Sequence, residues 1–178
     1  MARVVRVPLK QLTPGNAEGF GEVIHSLDEV QPVVREGAMV KDRMEMLRRG
    51  DEIYFTNHAI GDEGVIATVV DGAAHVSHVN CHSDATQAFI GADRQPTVFL
   101  LAKPTERLRA EDFVAFYSDG SVGMSMFPDV WHTSPLPVEG SQSYENTQGN
   151  GYHHATVDHD FLDEDVVLEV PLRAPEHG

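Results

Sequence analysis

From Ile53 to the end, the sequence breaks into short apolar or alternating segments, each closed by Gly, Asp, Asn or Pro: VIATVV, AHVSHVNCH, TQAFI, TVFLLA, FVAFYS, VGMSMF, ATVDHDF and VVLEVPL. No segment is long enough for a core helix, and strict alternation at this spacing is the mark of half-buried strands. The pattern therefore predicts an all-β fold, a sandwich or barrel. At 178 residues the chain fits one domain, residues 1–178, with enough length to bury a core and with 173–178 expected to fray.

Two short helices are expected ahead of these strands. Thr13 and Pro14 read as N-cap and first helical position of a helix ending near Gly19 or Gly21. A second spans about Val40 to Arg49, with Met39, Met44 and Leu47 as its apolar stripe and Gly50 as its C-cap. Later, the polar stretch EGSQSYENTQGNGY, Glu139 to Tyr152, reads as a long loop, either a lid or merely mobile.

Charge and cysteine content narrow the function. Thirteen Lys and Arg against twenty-eight Asp and Glu give a formal charge of -15, which repels phosphate backbones and anionic lipid, so neither nucleic acid nor membrane is an expected partner. A single cysteine, Cys81, excludes an internal disulfide and the Cys-rich zinc and iron–sulfur patterns. The N-terminal MARVVRVPLKQL has no apolar signal-peptide core, and the longest clean apolar run, VIATVV, is too short to span a bilayer, so a cytoplasmic protein is expected.

Chemistry concentrates in two places. If AHVSHVNCH is a strand, its period of two puts His78, Asn80 and His82 on one face and Val79 and Cys81 on the other. Such a row, facing inward, lines a metal or substrate cavity; on an edge strand it is only a wet face. Gln87 follows five residues after His82, and a second cluster, MFPDVWHTSPL, brings His132 next to the sole tryptophan, Trp131. His153, His154 and His159 beside Asp158 read as solvated or structural groups near the mouth. Trp131 and Phe89 read as core beside the site.

The pattern of Asn80-x-His82 with Gln87, followed by His132, resembles the two motifs of cupin barrels. Within the cupins, the chain is similar to the ureidoglycolate lyase family. The likeness rests on HSDATQAFI, on the strand VFLLA, on FVAFYSDGSVGMSMFPDVWHTSPL and on VPLKQLTPGNAEGFGEVI, covering roughly Arg3 to Ile24 and Val65 to Leu136. It implies a cupin-type β-barrel, or jelly-roll, and a lyase that splits ureidoglycolate into glyoxylate and urea. His132 and His82 would then serve as base and acid, with Gln87 orienting the substrate, and His78, Asn80, Trp131 and Asp158 contacting it. The same His82, Gln87 and His132, completed by His78, would suit one divalent ion, Zn, Mn, Ni or Fe, with no organic cofactor. A homodimer acting on a small molecule is expected.

The departures matter as well. Where the family usually has Glu-Arg-His, this chain has Asn80-Cys81-His82, and His159 follows Asp158 where an arginine is usual. The alternatives are another metal-dependent cupin enzyme, an isomerase, cyclase or decarboxylase, and a non-catalytic binding module.

Overall fold

A computed structural model describes residues 1–58 and 60–176. The outermost residues of the expected frayed tail, 177–178, lie outside that range. The strands, in chain order, are β1 (Arg3–Arg6), β2 (Leu9–Gln11), β3 (Gly21–Ile24), β4 (Met39–Arg49), β5 (Glu52–Asn57), β6 (Asp62–Val70), β7 (Ala73–Val76), β8 (His78–His82) and β9 (Gln87–Gly91). They continue as β10 (Thr97–Ala102), β11 (Val114–Ser118), β12 (Gly123–Met126), β13 (Trp131–His132), β14 (Leu136–Pro137), β15 (Gln142–Gly149), β16 (Thr156–Asp160) and β17 (Val166–Pro171). Helical structure is limited to single turns, the longest being four residues at Tyr152–Ala155 and at Phe161–Glu164. Among the described residues no helix is long and apolar enough to cross a membrane.

The chain is thus all-β, as its alternation predicts, but the expected closed barrel is not formed. One sheet runs β1-β17-β7-β6-β5-β4-β15-β9-β12-β3, and the other runs β16-β8-β13-β10-β11-β2 with β14 beside β10. Closure requires the outermost strands to pair with each other, and here β1, β3, β16 and β2 remain as edges. The two sheets instead cover each other. Thr97 of β10 bonds across to Tyr144 of β15 at 2.7 Å, and Phe99, Leu100, Leu101, Phe116, Met124 and Met46 are sealed between and around them. Pairing is antiparallel except for β1 with β17 and β2 with β11.

Both expected N-terminal helices are corrected. At the first, the capping signal is used, since Thr13 Oγ1 accepts from Asn16 N at 3.1 Å and Thr13 O from Ala17 N at 2.9 Å. The chain then passes through turns rather than a helix, because Gly19 takes φ +87° and Gly21 already lies in β3. At the second, Val40–Arg49 is the body of strand β4. Met44 and Met46 are buried on one face while Arg43 is exposed, a period of two that the helix-favouring Met, Leu and Arg conceal. Gly50, expected to cap a helix, opens the two-residue turn to β5 with φ +61°.

Two further expectations change. AHVSHVNCH is two strands: β7 belongs to the larger sheet and β8 to the smaller, and the chain crosses between them at Ser77. The stretch Glu139 to Tyr152 is largely not a loop, since β15 runs through it in the middle of the larger sheet, paired with β4 and β9. Its inward side chains, Gln142, Tyr144, Asn146 and Gln148, are polar yet buried, which is why composition alone reads as loop.

Candidate active site

Antiparallel register decides which groups meet. His132 of β13 stands directly opposite Asn80 of β8, so their side chains share a face, and by alternation His78 and His82 share it too. That face looks toward the larger sheet. On the larger sheet, β9 begins at Gln87, and its side chain reaches across, with His132 Nε2 2.9 Å from Gln87 Oε1. The rings of His82 and His132 lie edge to face at 5.1 Å. Structure thus gathers His82, Gln87 and His132 into one buried cluster between the sheets, although fifty positions of sequence intervene between the two histidines.

Each member is held by a second contact. His132 Nδ1 lies 2.9 Å from the Val130 carbonyl, and His82 Nδ1 lies 2.7 Å from Thr156 Oγ1 on β16. Gln87 Nε2 donates to Asn146 Oδ1 at 3.2 Å and to Gln148 Oε1 at 2.9 Å. The rings are 7% and 4% exposed, and loss of hydration dominates their basicity. Burial pushes His82 down to about 4, against the pull of its hydrogen bond with Gln87. Burial, then the neighbouring His82, pushes His132 down to about 3. Both imidazoles are therefore neutral at neutral pH and keep one lone pair each, so His132 donates to only one of the two carbonyl oxygens that its nitrogens face.

The remaining expected residues are spread around this cluster. A cleft of about 310 Å³ opens between the sheets and is lined by His78, Asn80, Asn57, Asp62, Glu63 and Gln148 among others. Among the described residues, no lysine or arginine lines it. Asn80 and Gln148 form its inner end: Asn80 is the register partner of His132, and Gln148 bonds Gln87. His78 sits at the rim, pairing with Asp158 at 3.0 Å, and both side chains are more than half exposed. Four residues along a strand is about 13 Å, so His78 does not join His82 at a common point. Trp131, adjacent to His132 in β13, points to the opposite face and lies edge-on to His159 at 6.4 Å. His154 is exposed, and the side chain of His153 lies outside what is described.

Among the described residues, no group of three or more His, Cys, Asp or Glu side chains could hold a metal. The donors that do converge are two imidazoles and an amide. For one pair of them the separation fits an ion, since ligands about 2.1 Å from one cation in adjacent positions stand about 3 Å apart, and Gln87 Oε1 and His132 Nε2 are 2.9 Å apart.

Sequence reasoning missed four participants: Asp42, Asn57, Asn146 and Gln148. Asp42 accepts from Asn146 Nδ2 at 2.6 Å and from Asn57 Nδ2 at 3.2 Å. The signal was present in the alternation Q-x-Y-x-N-x-Q of residues 142–148, a strand whose inward side chains are amides. Compared with known proteins, residues 4–169 match the family described as ureidoglycolate lyase. No curated protein matches significantly.

Proposed function

Because the chain belongs to the ureidoglycolate lyase family, which is enzymatic, we propose that the cleft above His82, Gln87 and His132 is where this lyase splits ureidoglycolate into glyoxylate and urea. The observation that carries the reading is the convergence of two neutral imidazoles and one amide that do not line the cleft themselves but adjoin two residues that do, Asn80 and Gln148. Ureidoglycolate is a carbinolamide: removing its hydroxyl proton lets the C–O electrons form the aldehyde as the C–N bond breaks, and the departing nitrogen takes up a proton. A neutral imidazole is equipped for the first transfer and, once protonated, for the second. His132 is assigned both transfers: with its Nδ1–H on the Val130 carbonyl, it takes the hydroxyl proton on Nε2 and returns it to the departing nitrogen. Neutral His82 packs against its ring, and Asn80 and Gln148 bind the ureido group from the cleft side. Gln87 has its amide fully engaged, so it fixes His132 and reaches the substrate only through that ring.

A divalent ion fits the donor set of His82, His132 and Gln87. Held there, it would supply Lewis acidity toward the substrate hydroxyl. The two facing sheets are read as an open variant of the cupin jelly-roll, and the protein as a cytoplasmic homodimer. Buried Cys81 and a net charge of -15 agree with a reducing, crowded compartment.

The lining of the cleft favours a second reading. Asp62 and Glu63 line it and, among the described residues, no guanidinium or ammonium does, which is poor company for a free carboxylate. A cupin enzyme of other chemistry, acting on an uncharged polar substrate, would find this lining more suitable. One assay separates the two: purified protein incubated with ureidoglycolate, with glyoxylate and urea measured. Release of both, reduced about 100-fold or more in a folded His132→Ala variant, supports the lyase. No release from protein supplied in turn with Zn, Mn, Ni and Fe moves the assignment to the second reading.

A further inference from the structure

Four side chains on neighbouring strands form one unbroken line across the inward face of the larger sheet and over to the smaller one. Asp42 of β4 accepts from Asn146 of β15, Asn146 Oδ1 accepts from Gln87 Nε2 of β9, and Gln87 Oε1 meets His132 Nε2. The second amide proton of Gln87 goes to Gln148. Asn146, Gln87 and Gln148 are at most 9% exposed, so water has little access to substitute for a mismatched partner.

The direction of this line is set at one end. A primary amide has a donating end and an accepting end, whereas an ionised carboxylate only accepts. Asn146 must turn its NH₂ to Asp42, which leaves its carbonyl for Gln87; Gln87 must then turn its own NH₂ to Asn146, which leaves its carbonyl for His132. Reversing Asn146 would press its carbonyl against the Asp42 carboxylate and its NH₂ against that of Gln87, and reversing Gln87 would press its carbonyl against those of Asn146 and Gln148, in a place where an unmet polar group is costly. We propose that Asp42, acting through Asn146, is the positioning residue that holds the carbonyl end of Gln87 toward His132. An oxygen at that position can hold a proton or a cation on His132 Nε2; an NH₂ there can hold neither. The consequence for catalysis rests on the lyase reading above, but the orientation does not.

The test uses the full chain with Asp42→Asn. An amide at position 42 can present either end, so the constraint disappears while size and shape are kept. In ¹⁵N-edited NOE spectra, the Gln87 NH₂ of the unaltered protein has its strongest contacts with Asn146 and Gln148; in Asp42→Asn, contacts with the His132 ring grow at their expense. With ureidoglycolate, kcat falls about 10-fold while KM stays within about 2-fold, as expected when a group is mispositioned rather than lost. Asp42→Glu, which still only accepts, recovers most of that kcat. If Asp42→Asn does not fold, Asn146→Leu breaks the same link and must show the same loosening of Gln87. An unchanged Gln87 contact pattern in the folded variant overturns the proposal, as does a changed pattern with kcat unaltered. A changed pattern in a protein that never cleaves ureidoglycolate leaves the Asp42 relay standing and removes the lyase reading.

Discussion

Burial sets the chemistry of individual side chains, and acid reveals it. His82 and His132 hold protons less readily folded, at about 4 and about 3, than unfolded, near 6.5. Their contribution to stability is whole above the unfolded value and drains away as pH falls through the interval toward the folded ones, because there the unfolded chain binds more protons. The melting temperature is expected to drop between pH 6.5 and pH 4, and less steeply in a His82→Gln, His132→Gln double variant; equal slopes in scanning calorimetry would refute the assignment. Cys81 shows the same effect in a thiol. Burial, followed by the charges of Asp129 and Asp158, pushes it up to about 11, so it should resist thiol reagents at pH 8 in the native protein and react at once in denaturant. The candidate histidines were legible in sequence because strand alternation and the spacing of Asn80, His82, Gln87 and His132 survive translation into three dimensions. Trp131 packs as core beside the site, as its sequence context predicts, and as the neighbour of an inward His132 it faces away from the cleft, toward His159. Asp42 and Asn146 were invisible because they lie 104 residues from each other and Asn146 lies 59 from Gln87.

Strand β15 decides the larger sheet, being its most heavily amide-lined member and lying between β4 and β9. Tyr144, with none of its surface exposed, anchors it: its hydroxyl meets Thr97 Oγ1 at 2.7 Å and accepts from Gln142 Nε2 at 2.9 Å. Tyr144→Phe keeps the ring but strands part of that network, at a cost of about 1–3 kcal/mol, readable as a lower urea midpoint at unchanged slope. The β4–β5 turn offers a milder test. Gly50 has φ +61° and open space around the missing Cβ, so Gly50→Ala introduces backbone strain without a clash and should cost about 1 kcal/mol. A larger loss would mean that the turn does more than reverse the chain. These two elements also show where sequence reading failed. Apolar strands such as β10 announce themselves, but β15 hides its period in amides and β4 hides its own in residues that also favour helices; in both, cross-strand partners overrule local preference.

At the scale of the whole molecule, the acidic excess and the sheet edges set behaviour in solution. With a formal charge of -15, moderate salt should raise the melting temperature by screening self-repulsion, most visibly below 0.1 M, where the screening length exceeds about 10 Å. A melting temperature that falls with added sodium chloride would show that attractive pairs such as Arg35–Asp129, at 2.6 Å, outweigh that repulsion. The fold class was legible because it depends only on the recurrence of short strands; closure was not, because it depends on whether distant edges find one another. Strand β1 lies parallel to β17, with Arg3 beside Val166 and Arg6 beside Glu169. A chain emerging from a ribosome therefore carries β1 unmatched until Val166–Pro171 has followed it out, and β17, pairing with both β7 and β1, brings β1 into the larger sheet as it arrives.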